Sequence, residues 1–320
     1  MGQMMLSRPA LVLVLLASAR AAIGGDAEQA EEAFSKGNSY IENRDYDSAV
    51  TEFTKAMRLE PKNVKAYRGR GVAYANKGEY DNAIADYTEA IRLDPRFAMA
   101  YVGRGVAHGN KGDHDKAIAD YTEAIRLDPR FAMAYVGRGV AYGRKGEYDK
   151  EIADDTEAIR LDPQNVMAYA GRGGAYGDKG EYDKEIADCT EAIRLDPHNA
   201  TAFVARGFAY GRKREYDKEV ADCTEAIHLN PKDATAYLNR GCAYQSKHGY
   251  EKAIADYTEA IRLDPRCAGA YFNRGLALRK KGESAKAEED FAQAKKLGWT
   301  SWDGDAAKTP GTNGKKDEIR

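Results

Sequence analysis

The sequence is poor in most of what marks a catalytic or covalently braced protein. Its four cysteines, Cys189, Cys223, Cys242 and Cys267, form no C-x-x-C pair, so the usual zinc pattern is missing. Cys189 and Cys223 fall at equivalent points of neighbouring segments. Packed helices lie about 8–10 Å apart, beyond the Cα reach of a disulfide, so both read as small buried apolar residues. The formal net charge is −2 although 31% of the residues are charged. That balance makes no electrostatic case for nucleic acid, which needs a basic face. No apolar run approaches the roughly 20 residues of a relaxed membrane-spanning helix. No nucleophile stands near a base in any recognisable arrangement, and the acidic residues recur at regular intervals, as structural residues do. The expectation is a non-enzyme with no cofactor and no metal. Proline is scarce too, with nine in the chain, and most of these are placed on a lattice.

That lattice is Pro61, Pro95, Pro129, Pro163, Pro197, Pro231 and Pro265, each 34 residues from the last. A fixed period of this size marks a stacked-repeat protein. Ile84 to Ala107 and Ile118 to Ala141 match residue for residue, which points to recent duplication. With the proline at slot 32, slots 4, 8 and 11 hold Tyr67, Gly71 and Tyr74, and slots 20, 24 and 27 hold Ala83, Tyr87 and Ala90. Spacings of three and four put each trio on one helical face. Gly78 suits a left-handed helix end, Asp81 suits the cap of the next helix, and Pro95 pushes Asp94 out of helical geometry. One repeat is therefore helix A, turn, helix B, turn. Gly71 in mid-helix costs about 1 kcal/mol against alanine and implies close approach of helix B.

These slots resemble the tetratricopeptide repeat (TPR) family: aromatic at 4, Gly at 8, Tyr at 11, Ala at 20, aromatic at 24, Ala at 27, Pro at 32. The pattern recurs in eight units, 30–63, 64–97, 98–131, 132–165, 166–199, 200–233, 234–267 and 268–301. The resemblance implies an all-α, right-handed superhelical solenoid that binds proteins or peptides in a groove lined by slots 2, 5, 6, 9, 12 and 13. Here those slots give Met99, Val102, Val106, Met133, Val136, Val140, Met167, Val204 and Phe208, an apolar stripe of the kind that marks interaction sites. Slots 5 and 9 also have the plainer reading of packing against the next repeat. The Lys and Asn set of the family's carboxylate clamp appears in no three consecutive repeats, so chaperone-tail binding is not expected. Slot 7, often leucine in the family, is instead Arg70, Arg104, Arg138, Arg172, Arg206, Arg240 and Arg274, with Lys36 in repeat 1. Slot 23 is Asp86, Asp120, Asp154, Asp188, Asp222, Asp256 and Asp290, with Glu52 in repeat 1. A charge beside a core wants a partner, so the two series are expected to form a ladder of ion pairs.

At the N-terminus, Arg8, the apolar Ala10 to Ala17 and the small-x-small patterns Ala17-Ser18-Ala19 and Ala19-Arg20-Ala21 read as a signal peptide over 1–22. Export follows from that reading, with an uncleaved anchor as the alternative. Residues 23–29 read as a linker, and 302–320 as a disordered polar tail. Trp299 and Trp302 are placed to fold over the last repeat. The Gly103-Arg104-Gly105 pattern lacks the strand and the Gly-Lys of a phosphate loop. His108 and His114, six apart across a turn, replace tyrosines and make a poor metal pair. Asn199-Ala200-Thr201 matches a glycosylation sequon, but Asn199 reads better as a helix cap. In repeats 4 to 6, slot 20 becomes Glu151, Glu185 and Glu219 while slot 24 becomes Asp155, Cys189 and Cys223. The expectation there is a volume exchange, with the glutamate stem filling the place of an aromatic ring and its carboxylate reaching water or an arginine. The functional expectation is an exported scaffold that binds a protein or peptide through its groove. The alternative is an envelope component that self-associates through its ends.

Overall fold

A computed structural model describes the backbone of residues 8–300 and the side chains from residue 25 onward. Sixteen α-helices and no strand occupy the described residues. They form two compact units, one through Pro163 and one from Gln164, where the sequence suggested a single run. The first holds α1 (Arg8–Glu42), α2 (Tyr46–Leu59), α3 (Val64–Asn76), α4 (Tyr80–Leu93), α5 (Ala98–Asn110), α6 (His114–Leu127), α7 (Ala132–Arg144) and α8 (Tyr148–Leu161). The second holds α9 (Val166–Asp178), α10 (Tyr182–Leu195), α11 (Ala200–Arg212), α12 (Tyr216–Leu229), α13 (Ala234–Ser246), α14 (Tyr250–Leu263), α15 (Ala268–Lys280) and α16 (Ser284–Lys296). Odd helices are helix A and even ones helix B. Within a unit each helix packs on its sequence neighbours, and successive A helices also touch, as α5 does α7 and α11 does α13.

The expected signal segment begins in residues 1–7, outside the described residues, and the polar tail and Trp302 lie outside them as well. Residues 23–29, expected as a linker, are helical, because α1 runs unbroken from Arg8 into helix A of repeat 1. No helix of the described residues is long and apolar enough to cross a membrane.

The local chemistry of the helix ends is legible. Asn63, Asn165 and Asn199 each accept a hydrogen bond from the backbone N–H three residues on, at 3.0–3.1 Å, which satisfies one orphan donor of helix A. Asn199 is thus a cap, as its position suggests. Asp81 is not one: Glu79 holds the N-cap position of α4, and Asp81 in the first turn pairs with Lys111 of the next repeat. Gly78, Gly112, Gly146, Gly180 and Gly282 take positive φ in the A–B turn. Slot 15 in repeats 1, 6 and 7 is filled instead by Arg44, Arg214 and His248, also at positive φ. A side chain in that region costs roughly 1–2 kcal/mol, partly offset by the entropy a glycine would lose. Arg214→Gly should therefore stabilise the chain by about 1 kcal/mol. A urea midpoint that does not rise would show that the turn carries no such strain.

The core is built of alanine, with one large slot-24 ring in each of repeats 1, 2, 3, 7 and 8. Ala66, Ala73, Ala83 and Ala90 are fully buried, as are their counterparts in most repeats. In repeats 1 to 3 the slot-24 ring sits between two glycines, one of its own repeat and one of the next. A Cβ on Gly71 would lie 2.9 Å from the Tyr87 ring, and one on Gly103 of the following repeat 2.5 Å from it. Gly105 and Gly137 enclose Tyr121 in the same way. Where slot 24 is Cys189 or Cys223, slot 6 of the next repeat is Ala205 or Asn239 in place of glycine. This corrects the expected volume exchange. The Cys189 sulfur occupies the ring's place, 3.3 Å from a Cβ on Gly173. The Glu185 carboxylate lies elsewhere, against Gly177 at slot 12. Nor does it reach water: Glu185 is 4% exposed and Glu219 5%.

Candidate protein-interaction face

Each A helix carries two faces, one charged and clasped to its neighbours, one apolar. On the first, the structure pairs slot 7 with slot 23 in every repeat from the second to the eighth. Arg70 Nε and Nη2 donate to the two oxygens of Asp86 at 2.8 and 2.7 Å. Arg138–Asp154, Arg172–Asp188, Arg206–Asp222, Arg240–Asp256 and Arg274–Asp290 repeat that two-point geometry at 2.7–2.9 Å. Arg104 binds Asp120 at 2.7–3.2 Å. The aspartates are buried, so the fork is what keeps their charge tolerable. The carboxylate bond in turn raises the guanidinium pKa in six of the seven rungs. A slot-4 ring lies under most of these arginines, as Tyr237 does under Arg240 at 5.7 Å.

A third member of the rung was missed in the sequence. The remaining guanidinium nitrogen, Nη1, donates to a threonine of the preceding repeat: Arg70 to Thr54, Arg104 to Thr88, Arg138 to Thr122, Arg206 to Thr190, Arg240 to Thr224 and Arg274 to Thr258, at 3.0–3.2 Å. The Thr224 hydroxyl meanwhile donates to the Val220 carbonyl, so both its roles are used. Slot 25 is threonine in repeats 1 to 7 and Ala292 in repeat 8, which has no successor in the chain to clasp. Repeat 1 departs from the ladder: Lys36 pairs with Glu32 at 2.7 Å, and one oxygen of Glu52 is buried without a hydrogen bond. An exposed second ladder joins slot 14 to slot 18 of the preceding repeat, as in Lys77–Asp47 at 2.7 Å and Lys145–Asp115 at 2.6 Å. Such pairs contribute little each.

On the apolar face the slots separate. Met99, Val106, Met133, Val140 and Met167, at slots 2 and 9, are 41–62% exposed, and apart from Tyr40 they are the exposed large apolar residues among those described. Val102 and Val136, also expected in the groove, are instead buried at 9% and 4%, and Val102 packs with Ala117, Tyr121, Ala134 and Ala141. Slot 5 thus packs on the next repeat, for three residues along the helix it turns from the solvent side toward the neighbour. Val204 and Phe208 are half-buried in the second unit.

The remaining candidates resolve into structure. Among the described residues no group of three His, Cys, Asp or Glu side chains comes together to hold a metal. His108 sits half-buried with Nε2 4.0 Å from Asp120, and burial lowers its pKa. Cys189 and Cys223 are buried free thiols, and burial pushes Cys189 up to about 12. Trp299 stacks on Phe272 with centroids 5.0 Å apart and covers Gly269, closing slots 2 and 5 of the last repeat.

Comparison with known proteins agrees with this layout. The tetratricopeptide repeat family profile matches residues 34–98, 102–166, 156–200 and 238–301. A tetratricopeptide repeat protein from Parabacteroides merdae ATCC 43184 superposes with a TM-score of 0.60 at 20% identity, over 78% of this chain and 99% of that one. Cut9, in the APC/C hetero-tetramer Cut9–Hcn1, gives 0.63 at 18% identity, over 79% of this chain and 50% of that one. YrrB, described as a TPR protein with an unusual peptide-binding site, gives 0.50 at 23% identity, over 61% and 97%. At these identities the likeness is one of fold. No curated protein matches the chain.

Proposed function

The chain belongs to the tetratricopeptide repeat family, and from that premise we propose that it is a non-catalytic scaffold that binds a protein or peptide on the slot-2 and slot-9 face of its A helices. Members of the family are generally protein-interaction scaffolds. One observation carries the assignment of the face: the exposed large apolar residues concentrate at two slots, two turns apart on one side of helix A. Exposed apolar clusters of this kind mark interaction sites, and methionine adapts its shape to what it meets. The ends support self-association less well. At the C-terminal end Trp299 already covers Phe272, and Ala292 offers no hydroxyl to a further arginine.

The test is capture from the native host extract by protein carrying Met133→Asp with Val140→Asp, compared with the unaltered chain. Because both side chains are in solvent, the melting temperature should hold while partners are lost at least tenfold. Val102 and Val136 are unsuitable targets, since a charge there would enter the core. Partners retained by the double variant would exclude this face. We further propose export through the N-terminal Arg8 and Ala10–Ala17 segment. Amino-terminal sequencing of the mature protein should begin just after Ala19 or Ala21, and a protein that keeps residues 1–22 would refute cleavage.

A further inference from the structure

We propose that the α5–α7 face takes an extended, polyproline II segment of a partner protein, in which an apolar side chain and a carboxylate each recur every third residue. This deepens the proposed function and rests on it. Ile84–Ala107 and Ile118–Ala141 are identical in sequence, so α5 and α7 present the same surface twice from slot 1 to slot 10. The two helices pack directly on one another, at the roughly 8–10 Å typical of packed helices. A ligand that meets both copies alike must repeat at that spacing. A polyproline II chain returns to the same face every three residues, or about 9.3 Å. A β-strand returns every two residues, about 6.8 Å, and misses the second copy.

The cross-section of the surface agrees. Met99 and Met133 form one exposed rim, and Val106 and Val140 the other. The rims are seven residues apart along the helix, about 10.5 Å. Between them lie the buried Val102 and Val136, and Gly103 and Gly137, whose side-chain places are filled by the buried Tyr87 and Tyr121 rings, so the floor sits below the rims. One extended chain fits such a channel, while an α-helix of about 10–12 Å diameter rides on its rims.

The charge of the partner follows from the helix starts. Arg96 and Arg130 are exposed, three residues before Met99 and Met133. Their backbone N–H groups bond to Asp94 and Asp128 at 3.0 Å, and among the described residues their guanidiniums enter no ion pair. Phe97 and Phe131 stand at the N-caps and give no side-chain cap bond, so the positive ends of α5 and α7 are not offset there. An acid at every third residue of the ligand would meet one of these arginines per repeat.

The probe is a labelled peptide of four Leu-Pro-Glu units, titrated with the full chain and read by fluorescence anisotropy. It should bind at least tenfold more tightly than a peptide of the same composition with leucines spaced four apart, and tenfold more tightly than four Leu-Pro-Lys units. Met133→Glu should weaken it at least tenfold with circular dichroism unchanged, and Arg96→Glu with Arg130→Glu should reverse the preference toward the lysine peptide. Equal binding of the four-spaced peptide, or binding indifferent to Met133→Glu, overturns the proposal. A photo-crosslinker at position 133 separates the levels. Partner capture there without any tripeptide preference removes the polyproline reading and leaves the interaction face, whereas neither capture nor peptide binding removes both.

Discussion

From about pH 5 to pH 8 the urea midpoint of the chain should fall steadily, and Glu185→Gln with Glu219→Gln should flatten that fall. Both glutamates are buried in helix B of their repeats, 4% and 5% exposed. Each carboxylate lies against a glycine of helix A: a Cβ on Gly177 would be 2.7 Å from Glu185, and one on Gly211 2.5 Å from Glu219. One Glu185 oxygen has no hydrogen-bond partner. Burial pushes both acids up to about 8, and nearby Asp178 adds to the shift at Glu185. The folded state therefore holds two protons that the unfolded chain has already released above the ordinary carboxylate value of 4.5. Their stabilising protonation is fully present below that value and is lost as pH rises to about 8, at roughly 1.4 kcal/mol per pH unit for each group. Above pH 8 the two groups add no further slope. A glutamine of the same shape does not titrate. Equal pH slopes for the double variant and the unaltered chain would show that these acids are ionised in the fold.

Arg240→Ala should destabilise the second unit by about 3–5 kcal/mol, more than any surface change. It removes two bonds to Asp256, at 2.8 and 2.9 Å, and one to Thr224 at 3.2 Å. What remains is a buried aspartate with its principal counter-charge gone, and that uncompensated charge is the larger part of the cost. Arg240→Leu with Asp256→Leu removes the charge as well as the fork, and should fall within about 1–2 kcal/mol of the unaltered protein. Thr224→Ala, which reproduces the natural state of slot 25 in repeat 8, should cost only about 1 kcal/mol. A double-mutant cycle measures the coupling. Additive losses from the Arg240 and Asp256 changes would mean that the pair contributes packing alone.

The rung was readable in sequence because two complementary charges recur at fixed slots beside a core. Its threonine was readable by the same logic, since slot 25 changes to Ala292 only in the last repeat. A hydroxyl carries no charge, however, and a threonine on a helix surface asks for no partner. The valines show a different limit. Slots 5 and 9 carry the same residue in repeats 3 and 4, yet Val102 is buried and Val106 exposed. What decides between them is the neighbouring repeat, which the period of a single helix cannot express. The glutamates at slot 20 read as solvent-facing because they are charged. The sign of their burial lay at slot 12, where Gly143, Gly177 and Gly211 accompany Glu151, Glu185 and Glu219. Gly109 opposite Ala117 blurs that pattern.

The Arg–Thr clasp sets a rule for how such a chain can lengthen. Arg70, Arg104, Arg138, Arg206, Arg240 and Arg274 each draw a third bond from a threonine of the repeat before, so a block of 34 residues copied within repeats 2 to 7 brings both halves of the clasp in phase, wherever the copy is cut. A copy of repeat 8 placed inside the array would offer Ala292 to the next arginine and leave it one bond short, and a copy of repeat 1 would bring Lys36 where an arginine is needed. Growth by duplication is thereby confined to the interior, which is where the chain carries its long residue-for-residue copy, Ile84–Ala107 repeated as Ile118–Ala141.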